Sequence, residues 1–263
     1  MSPIACLCSR AALCILLLAA GAASARADQF EAAVGRYRAV LIDDIGKSLA
    51  GARRLHDCVV ASDAAGAKAA WLSARAGWER SEVFTAGFVP ALDKDIDAWP
   101  DALKGFHAIE AQLFGANKTD VADQTRALVL NLEQLDRELR DMALAPQGLL
   151  NGIVRLAYEV GDSKADGGES RVSGTSLDDM RNNVDGIKIA YLTIFAPTVA
   201  AHDARIDAEV KRRIGELKEI VAVPDLRRVD ADRLRTLSEE LVVTLQNTAP
   251  ALGLREPTLE ESN

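Results

Sequence analysis

The sequence predicts an all-α protein made of two antiparallel four-helix bundles that follow a cleaved signal peptide. Apolar residues recur at three- and four-residue steps along most of the chain, and no stretch alternates between apolar and polar residues as a strand does. Aromatic residues make up only 5% of the chain, a composition that favours packed helices over sheets. Eight helical segments without a repeat period suit two bundles better than a solenoid.

A targeting segment is predicted at residues 1–27. Arg10 precedes the apolar run AALCILLLAAGAA, which is short for a membrane span, and Ala25-Arg26-Ala27 has the small residues of a cleavage site. An uncleaved anchor helix is the alternative. The remaining chain contains one cysteine, Cys58, and therefore has no intrachain disulfide. We expect the mature protein to be exported and soluble, without stable membrane insertion.

The first bundle is predicted to cover residues 28–145. Its first helix carries apolar residues at a helical period from Phe30 to Val59. The Ala-rich segment Ala64–Phe88 forms the second helix, and Pro90 is expected to stop it because proline cannot continue a helix.

The rest of the first bundle begins with residues 91–101, ALDKDIDAWPD, which have no sustained period and are expected to form an ordered acidic loop. A third helix is predicted at about 103–114. A fourth, capped by Thr119 or Asp120, carries an apolar stripe that ends at Leu139.

The second bundle is predicted to cover residues 146–250, and its first helix runs from about Gln147 to Val160. The segment GDSKADGGESRVSG follows and is rich in Gly, Ser and Asp. Thr175-Ser176-Leu177-Asp178 resembles a capping box and opens the next helix, which Pro197 kinks or ends.

The last two predicted helices carry apolar stripes from Ile206 to Val221 and from Leu234 to Leu245. Residues 251–263 are expected to form a polar, frayed tail.

The charge of the chain argues against nucleic acid as a partner. The sequence has 39 acidic and 31 basic residues, for a net charge of −8, and two of the arginines lie in the predicted signal peptide. No basic cluster stands out that would bind a phosphate backbone. An acidic surface is compatible with cation capture but is also a common solubility device.

The first candidate for a chemical centre is the pair His107 and Glu110. Their three-residue spacing places both side chains on one face of a helix, where an imidazole and a carboxylate can close on one divalent cation. The chain has only three histidines, so this pair has little competition. The ordinary alternative is a helix face without a metal ion.

Further carboxylates strengthen the metal hypothesis. Glu79 and Glu82 lie three residues apart on the second helix, Asp97 lies in the acidic loop, and Glu159 ends an apolar helix. Helices packed side by side bring such side chains into one interior, where a buried carboxylate needs a cation or a donor. One imidazole with several carboxylates is a hard ligand set that suits iron or manganese and tolerates zinc.

Hydrolytic motifs are absent from the sequence. No HExxH zinc motif and no GxSxG nucleophile elbow occurs, and the register of the acidic loop lacks the Gly and Glu of a calcium-binding EF-hand. Composition alone does not exclude Ser/His/Asp or Cys/His catalysis.

Four ordered blocks resemble the imelysin-like family, which includes the EfeO and EfeM components of iron uptake. GFHAIEAQLFG resembles the GxHxxE signature, Trp78-Glu79-Arg80-Ser81-Glu82 the element on the second helix, and LDKDIDAWPD the loop before the His helix. The stretch YEVGDSKADGGESRVSGTSLDDMRNNVDG resembles a fourth block. Trp99-Pro100, Val172 and Gly174 depart from the family pattern.

The resemblance implies a periplasmic two-bundle protein with a metal site in a cleft. It places His107 and Glu110 in the signature, and Glu79, Glu82, Asp97 and Glu159 among the surrounding carboxylates, all as candidate metal ligands. The implied ion is divalent or trivalent, with iron first and manganese or zinc as alternatives. The implied partners are an inner-membrane iron permease and a haem peroxidase.

Three functions therefore follow as hypotheses. The first is a metal-binding protein for an iron uptake system. The second is a metal-dependent peptidase of the imelysin type, which the missing second histidine argues against. The third is a binding module for an acidic polysaccharide or a protein, with a cation as the bridge.

Overall fold

The structure is a computed structural model that describes the backbone of residues 4–98, 103–165 and 167–259, with side chains from Phe30 onward. The predicted signal peptide and Trp99-Pro100 therefore lie outside the residues whose side chains are described. Within the described ranges the chain is helical and contains no strand, so the predicted all-α class is confirmed.

The helices follow one another with short connections. Their bounds are α1 (Ile4–Val60), α2 (Ala64–Phe88), α3 (Pro90–Ile96), α4 (Gly105–Glu110), α5 (Ala122–Leu139), α6 (Pro146–Gly161), α7 (Ser176–Ala190), α8 (Ala196–His202), α9 (Ala204–Ile220), α10 (Ala231–Gln246) and α11 (Ala249–Leu252). Two π-helical turns, Ala111–Gly115 and Tyr191–Phe195, follow α4 and α7, and Leu226–Arg228 forms a 3₁₀ turn.

The helix α2 is the central element of the fold. It packs against α1 on one side and against α6 and α7 on the other, while α5 also packs on α1, and α10 packs on α6 and α9. The backbones come close: a Cβ atom added at Gly152 of α6 would lie 1.7 Å from the Val83 carbonyl oxygen of α2. This close approach fixes the distance of α2 from α6 and the rotation of α2 about its own axis.

Helix limits agree with the sequence for α2, but the acidic loop was predicted wrongly. Residues Pro90–Ile96 form α3, and the Asp93 N–H donates to the Val89 carbonyl oxygen at 2.8 Å. Pro90 does end α2, yet it also occupies the first turn of α3, where a missing N–H has no consequence. A helix this short lacks the repeated period on which the prediction depended.

Two predicted helix caps were also wrong. The residue before α5 is Val121, which makes no side-chain capping bond, rather than Thr119 or Asp120. Thr175 does precede α7, but it makes no capping bond because its hydroxyl pairs with Ser173 Oγ at 2.8 Å. The Thr175 hydroxyl therefore binds a neighbouring side chain and not a backbone N–H at the start of α7.

The described part of the predicted polar tail, residues 251–259, packs against the body of the protein instead of fraying. Leu252 is fully buried, and the Arg255 N–H donates to the Gln147 side chain of α6 at 2.8 Å. Gln246 donates to the Pro257 carbonyl oxygen at 3.3 Å.

One helical stretch among the described residues, Ser176–His202, is long and apolar enough to cross a membrane by length and composition alone. Just over half of its most apolar window is buried inside the molecule. The core helix of a globular protein meets the same criterion, so this stretch is weak evidence for a membrane span.

Candidate metal centre

A buried cluster of charged side chains lies where α2, α3, α4 and α7 meet the connection between α6 and α7. Its acidic members are Glu79, Glu82, Asp97, Glu110, Glu169 and Asp179, and its basic members are Arg75, His107 and Lys164. Charged residues are almost never buried without partners, so a group of this size marks a specialised site.

Helix α2 contributes one face of the cluster. Arg75, Glu79 and Glu82 follow one another at four- and three-residue steps and therefore lie on the same side of the helix. Asp97 comes directly after α3. Gly105 opens α4 with φ +69°, and an added Cβ there would lie 2.1 Å from the Ile96 carbonyl oxygen. This contact, which only glycine permits, brings α4 against the end of α3.

His107 lies between two carboxylates. Its Nε2 is 3.2 Å from Asp97 Oδ1, and its Nδ1 is 3.1 Å from Glu110 Oε2. The other oxygen of Glu110 accepts hydrogen bonds from the Ser173 N–H and hydroxyl, both at 2.7 Å. Burial disfavours the charged imidazole, but the Asp97 charge and the two hydrogen bonds raise the pKa of His107 to about 9. The histidine therefore acts as a cation at neutral pH.

Arg75 is the second cation of the cluster. Its guanidinium donates to Asp97 Oδ1 at 2.5 Å and to Asp179 Oδ2 at 3.2 Å, and it also pairs with Glu79. Its centre lies 5.6 Å from the Trp71 ring and 5.4 Å from the Phe106 ring, which adds cation–π contacts. Burial opposes ionisation of Asp97, yet the Arg75 charge holds the pKa of that carboxyl below its usual range.

Lys164 is the third cation. Its Nζ lies 3.2 Å from Glu79 Oε2, 2.9 Å from Glu82 Oε2 and 3.0 Å from Glu169 Oε2. Asn183 Nδ2 of α7 donates to the same Glu79 and Glu82 oxygens at 2.9 and 2.7 Å. The carboxylates of α2 are thus held by donors from the second half of the sequence.

Two sets of carboxylates among the described residues have the spacing of metal ligands. Glu79, Glu169 and Asp179 form one set, and Glu79, Glu82 and Asp97 form the other; within each, one oxygen of every residue lies within 4.8 Å of the others. Oxygen-rich groups of this kind suit hard cations such as iron or manganese. Glu79, which is fully buried, belongs to both sets.

The six predicted metal ligands fall into three groups by their position relative to the two carboxylate sets. Glu79, Glu82 and Asp97 are brought together in one set. His107 and Glu110 adjoin that set through Asp97 but belong to neither set. Glu159 is partly exposed, and its Oε1 accepts from Arg155 Nη1 at 2.7 Å. Which of these six residues bind a metal ion stays a prediction.

Sequence reasoning missed several members of the cluster. These are Arg75, Lys164, Glu169, Asp179 and Asn183. Lys164 and Glu169 lie in a Gly/Ser/Asp-rich segment whose composition is typical of a solvent-exposed loop. The side chain of Lys164 is nevertheless only 2% exposed. The sequence feature that could have revealed the buried charges is Arg75. It lies between Trp71 and Trp78 on an apolar helix face, where a charge requires a buried partner.

The pKa values predict that the metal-free protein loses stability as the pH rises. Burial raises the pKa of Asp179 to about 7, although Arg75 opposes the shift. A carboxyl with a raised pKa favours the folded state below the pKa of about 4 that it has when unfolded, and this contribution disappears as the pH approaches 7. His107 acts in the same direction, because its contribution is complete below pH 6.5 and is lost as the pH passes about 9.

Urea denaturation in the presence of a chelator measures this dependence. We expect the midpoint to fall from pH 5 to pH 8, and Asp179→Asn to flatten the part of the curve below pH 7. A midpoint that rises over this interval would contradict the charge states assigned to the cluster.

Comparisons with known proteins agree with the helical architecture. The family described as Imelysin (Peptidase_M75) matches residues 33–104 and 101–249. The iron uptake system component EfeM of Pseudomonas syringae pv. syringae (strain B728a) is 28% identical over 215 residues, which cover 78% of this chain and 74% of that protein. EfeO of Escherichia coli (strain K12), also named an iron uptake system component, is 28% identical over 222 residues, 78% of this chain.

The aligned part of the chain spans 59% of the length of EfeO. A solved structure described as an iron-regulated protein A precursor from Parabacteroides distasonis ATCC 8503 superposes with a TM-score of 0.61 at 18% identity, over 86% of this chain and 94% of that one. At this level of identity the superposition supports the fold alone.

Proposed function

Because the chain belongs to the imelysin family, we propose that it binds a metal ion, with iron as the cargo, as a component of an iron uptake system. The relatives EfeM and EfeO carry that description in their names. We propose the buried cluster around Glu79 as the place where the ion is bound.

The charge balance of the cluster is the observation that carries the proposal. Six carboxylates face two permanent cations, Arg75 and Lys164, and the protonated imidazole of His107. If every group were ionised, the cluster would carry three net negative charges in a region that is largely removed from water. Burial therefore raises the pKa of Glu82, Glu169 and Asp179. Unpaired buried charge is strongly unfavourable, so the cluster attracts a further cation.

The donor chemistry supports a hard cation. Glu79, Glu82, Asp97, Glu169 and Asp179 supply carboxylate oxygens from α2, from the end of α3, from the α6–α7 connection and from α7. His107 contacts Asp97 from the other side, and Glu110 contacts His107. The imidazole would join the predicted ligand set by losing a proton when the ion binds. Thiolates, which Cu⁺ prefers, do not occur in either set of described ligand atoms.

Localisation and partners follow from the same proposal. An exported protein that holds iron outside the cytoplasm has to pass the ion on, and an inner-membrane permease is the class of partner that receives it. A haem peroxidase is the second partner that the family resemblance implies. The predicted signal peptide at residues 1–27 agrees with a periplasmic location.

The first test is metal binding by the chain that begins at Asp28. We expect elemental analysis and titration to give about one iron or manganese ion per chain. The double variant His107→Ala with Glu110→Ala is expected to lose binding, because it removes an imidazole and a carboxylate beside Asp97. The matched control is His202→Ala with Glu219→Ala, which changes the same residue types at exposed positions.

Three results would contradict the proposed function. One is an unchanged metal content in the double variant and in Glu79→Gln. Another is chelator-sensitive cleavage of casein or small peptides that is lost in Glu110→Gln, since this would favour a peptidase. The third is tight binding of an acidic polysaccharide by the metal-free chain.

A further inference from the structure

The ammonium group of Lys164 occupies a position that suits a metal ion. Its three carboxylate contacts, at 2.9 to 3.2 Å, come from Glu79 and Glu82 on α2 and from Glu169 in the α6–α7 connection. Several carboxylates that surround one positive charge are also the arrangement by which proteins hold hard metal ions. The lysine and a metal ion would therefore compete for the same oxygens.

The burial of Lys164 shows that this position is specific. Lysine is normally exposed, yet this residue is only 2% exposed and Glu79 is fully buried. The two acids lie within 3.2 Å of the same ammonium group, which is therefore their shared counter-charge. In the metal-free protein, Lys164 thus supplies positive charge to the carboxylates that have the spacing of metal ligands.

Arg75 differs from Lys164 in its freedom to move. The guanidinium binds Asp97 and Asp179 at once and lies against the rings of Trp71 and Phe106. Arginine is a planar fork that such contacts fix from several sides, whereas lysine is a point charge at the end of a flexible four-carbon chain. Of the two permanent cations, Lys164 is the one whose charged group is held by carboxylates without aromatic contacts among the described residues, so side-chain rotation would release it more readily.

The backbone around Lys164 is held in place. Ser176 Oγ donates to the Gly167 carbonyl oxygen at 3.1 Å, and Ser173 binds Glu110 through its N–H and its hydroxyl. The Lys164 N–H donates to the Glu159 carbonyl oxygen at 3.1 Å. The connection is therefore tied to α4, α6 and α7, and displacement of the ammonium group does not require the connection to move.

We propose that Lys164 is a tethered counter-cation that exchanges places with the metal ion: its ammonium group fills part of the site in the metal-free protein and leaves when the ion binds. This inference rests on the proposed metal-binding function. The exchange lowers the affinity for every cation, and it discriminates against ions of low charge, which compete poorly with an ammonium group. When the ion departs, the lysine restores the charge balance of Glu79 and Glu82.

Metal affinity of lysine variants is the first test. Titration with Mn²⁺, and with Fe³⁺ supplied as its nitrilotriacetate complex, is expected to show that Lys164→Met binds about tenfold more tightly or better, since a unit charge about 4 Å away is removed. Lys164→Arg keeps the charge but binds carboxylates in a fixed fork, so its affinity should fall. Lys211→Met is the matched control, because Lys211 also pairs with a largely buried carboxylate, that of Asp207, which belongs to neither set.

Amine acetylation of the unmodified chain is the second test and does not depend on a variant that folds. Peptide mass spectrometry after reaction with an N-hydroxysulfosuccinimide ester is expected to show slow labelling of Lys164 without metal and faster labelling with Mn²⁺ or Fe³⁺. Lys188, which is exposed on α7, should be labelled at the same rate in both states.

The outcomes separate this inference from the function on which it depends. Metal binding by the wild type, with no gain in Lys164→Met and no change in Lys164 labelling, overturns the exchange and leaves the function intact. Failure of both the wild type and Lys164→Met to bind metal overturns both. Binding by Lys164→Met alone overturns both as well, because the lysine then keeps its place and the wild type holds no ion.

Discussion

Replacement of Arg75 by Met is expected to lower the free energy of unfolding of the metal-free protein by about 3–5 kcal/mol, the range found when one partner of a buried ion pair is removed. Asp97, Asp179 and Glu79 would lose their shared counter-charge while they remain buried. Chemical denaturation with a chelator present measures the change. Part of the loss should return when metal is added, because the ion neutralises the same carboxylates.

The control for this prediction is Arg212→Met on α9. Arg212 also contacts two carboxylates, those of Glu209 and Glu216, but half of its side chain is exposed. Exposed ion pairs contribute about 0–1 kcal/mol, so a small change is expected. Similar losses in the Arg75 and Arg212 variants would show that the buried cluster has no special role in stability.

Replacement of Glu79 by Gln is expected to weaken metal binding by about 100-fold or more, since loss of a group that merely supports a ligand already costs about 10–100-fold. Glu79 is the residue that both sets of carboxylates share, so its neutralisation affects any ion bound in either set. Gln has nearly the same shape, which keeps the contact of α2 with α7. Isothermal titration with Mn²⁺ measures the effect, together with a thermal melt to verify folding.

Glu138→Gln is the matched control, because Glu138 lies on α5 and accepts a hydrogen bond from Gln134 at an exposed position. Its affinity for metal should equal that of the wild type. An unchanged affinity in Glu79→Gln would mean that the ion, if it binds at all, is held elsewhere.

Long periodic segments were predictable from the sequence, whereas short ones were not. The Ala-rich pattern gave the limits of α2 as Ala64–Phe88, since many turns of the helix contribute to one apolar stripe. Helix α3 has only seven residues, and its acidic composition resembles that of a loop. Its formation depends on Pro90, which fixes the backbone of the first turn, and on packing that no local pattern reveals.

The candidate site was predictable only in part, for a similar reason. His107 and Glu110 stand out because a helix places them on one face, and Glu79 and Glu82 do so for the same reason. Glu169 and Asp179 lie far along the chain and meet Glu79 only after α2 packs against α7. Lys164 could not be distinguished from a surface lysine without knowledge of its burial.

The candidate ligands come from both sides of the connection between α5 and α6, and this has a mechanical consequence. Glu79, Glu82 and Asp97 come from the first half of the sequence, whereas Glu169 and Asp179 come from the second. An ion bound to both sets would crosslink the two halves of the chain, as a disulfide bond would. Release of the ion would remove this crosslink. Residues 28–145 and 146–250, produced as separate fragments, would then associate more tightly when the metal ion is supplied.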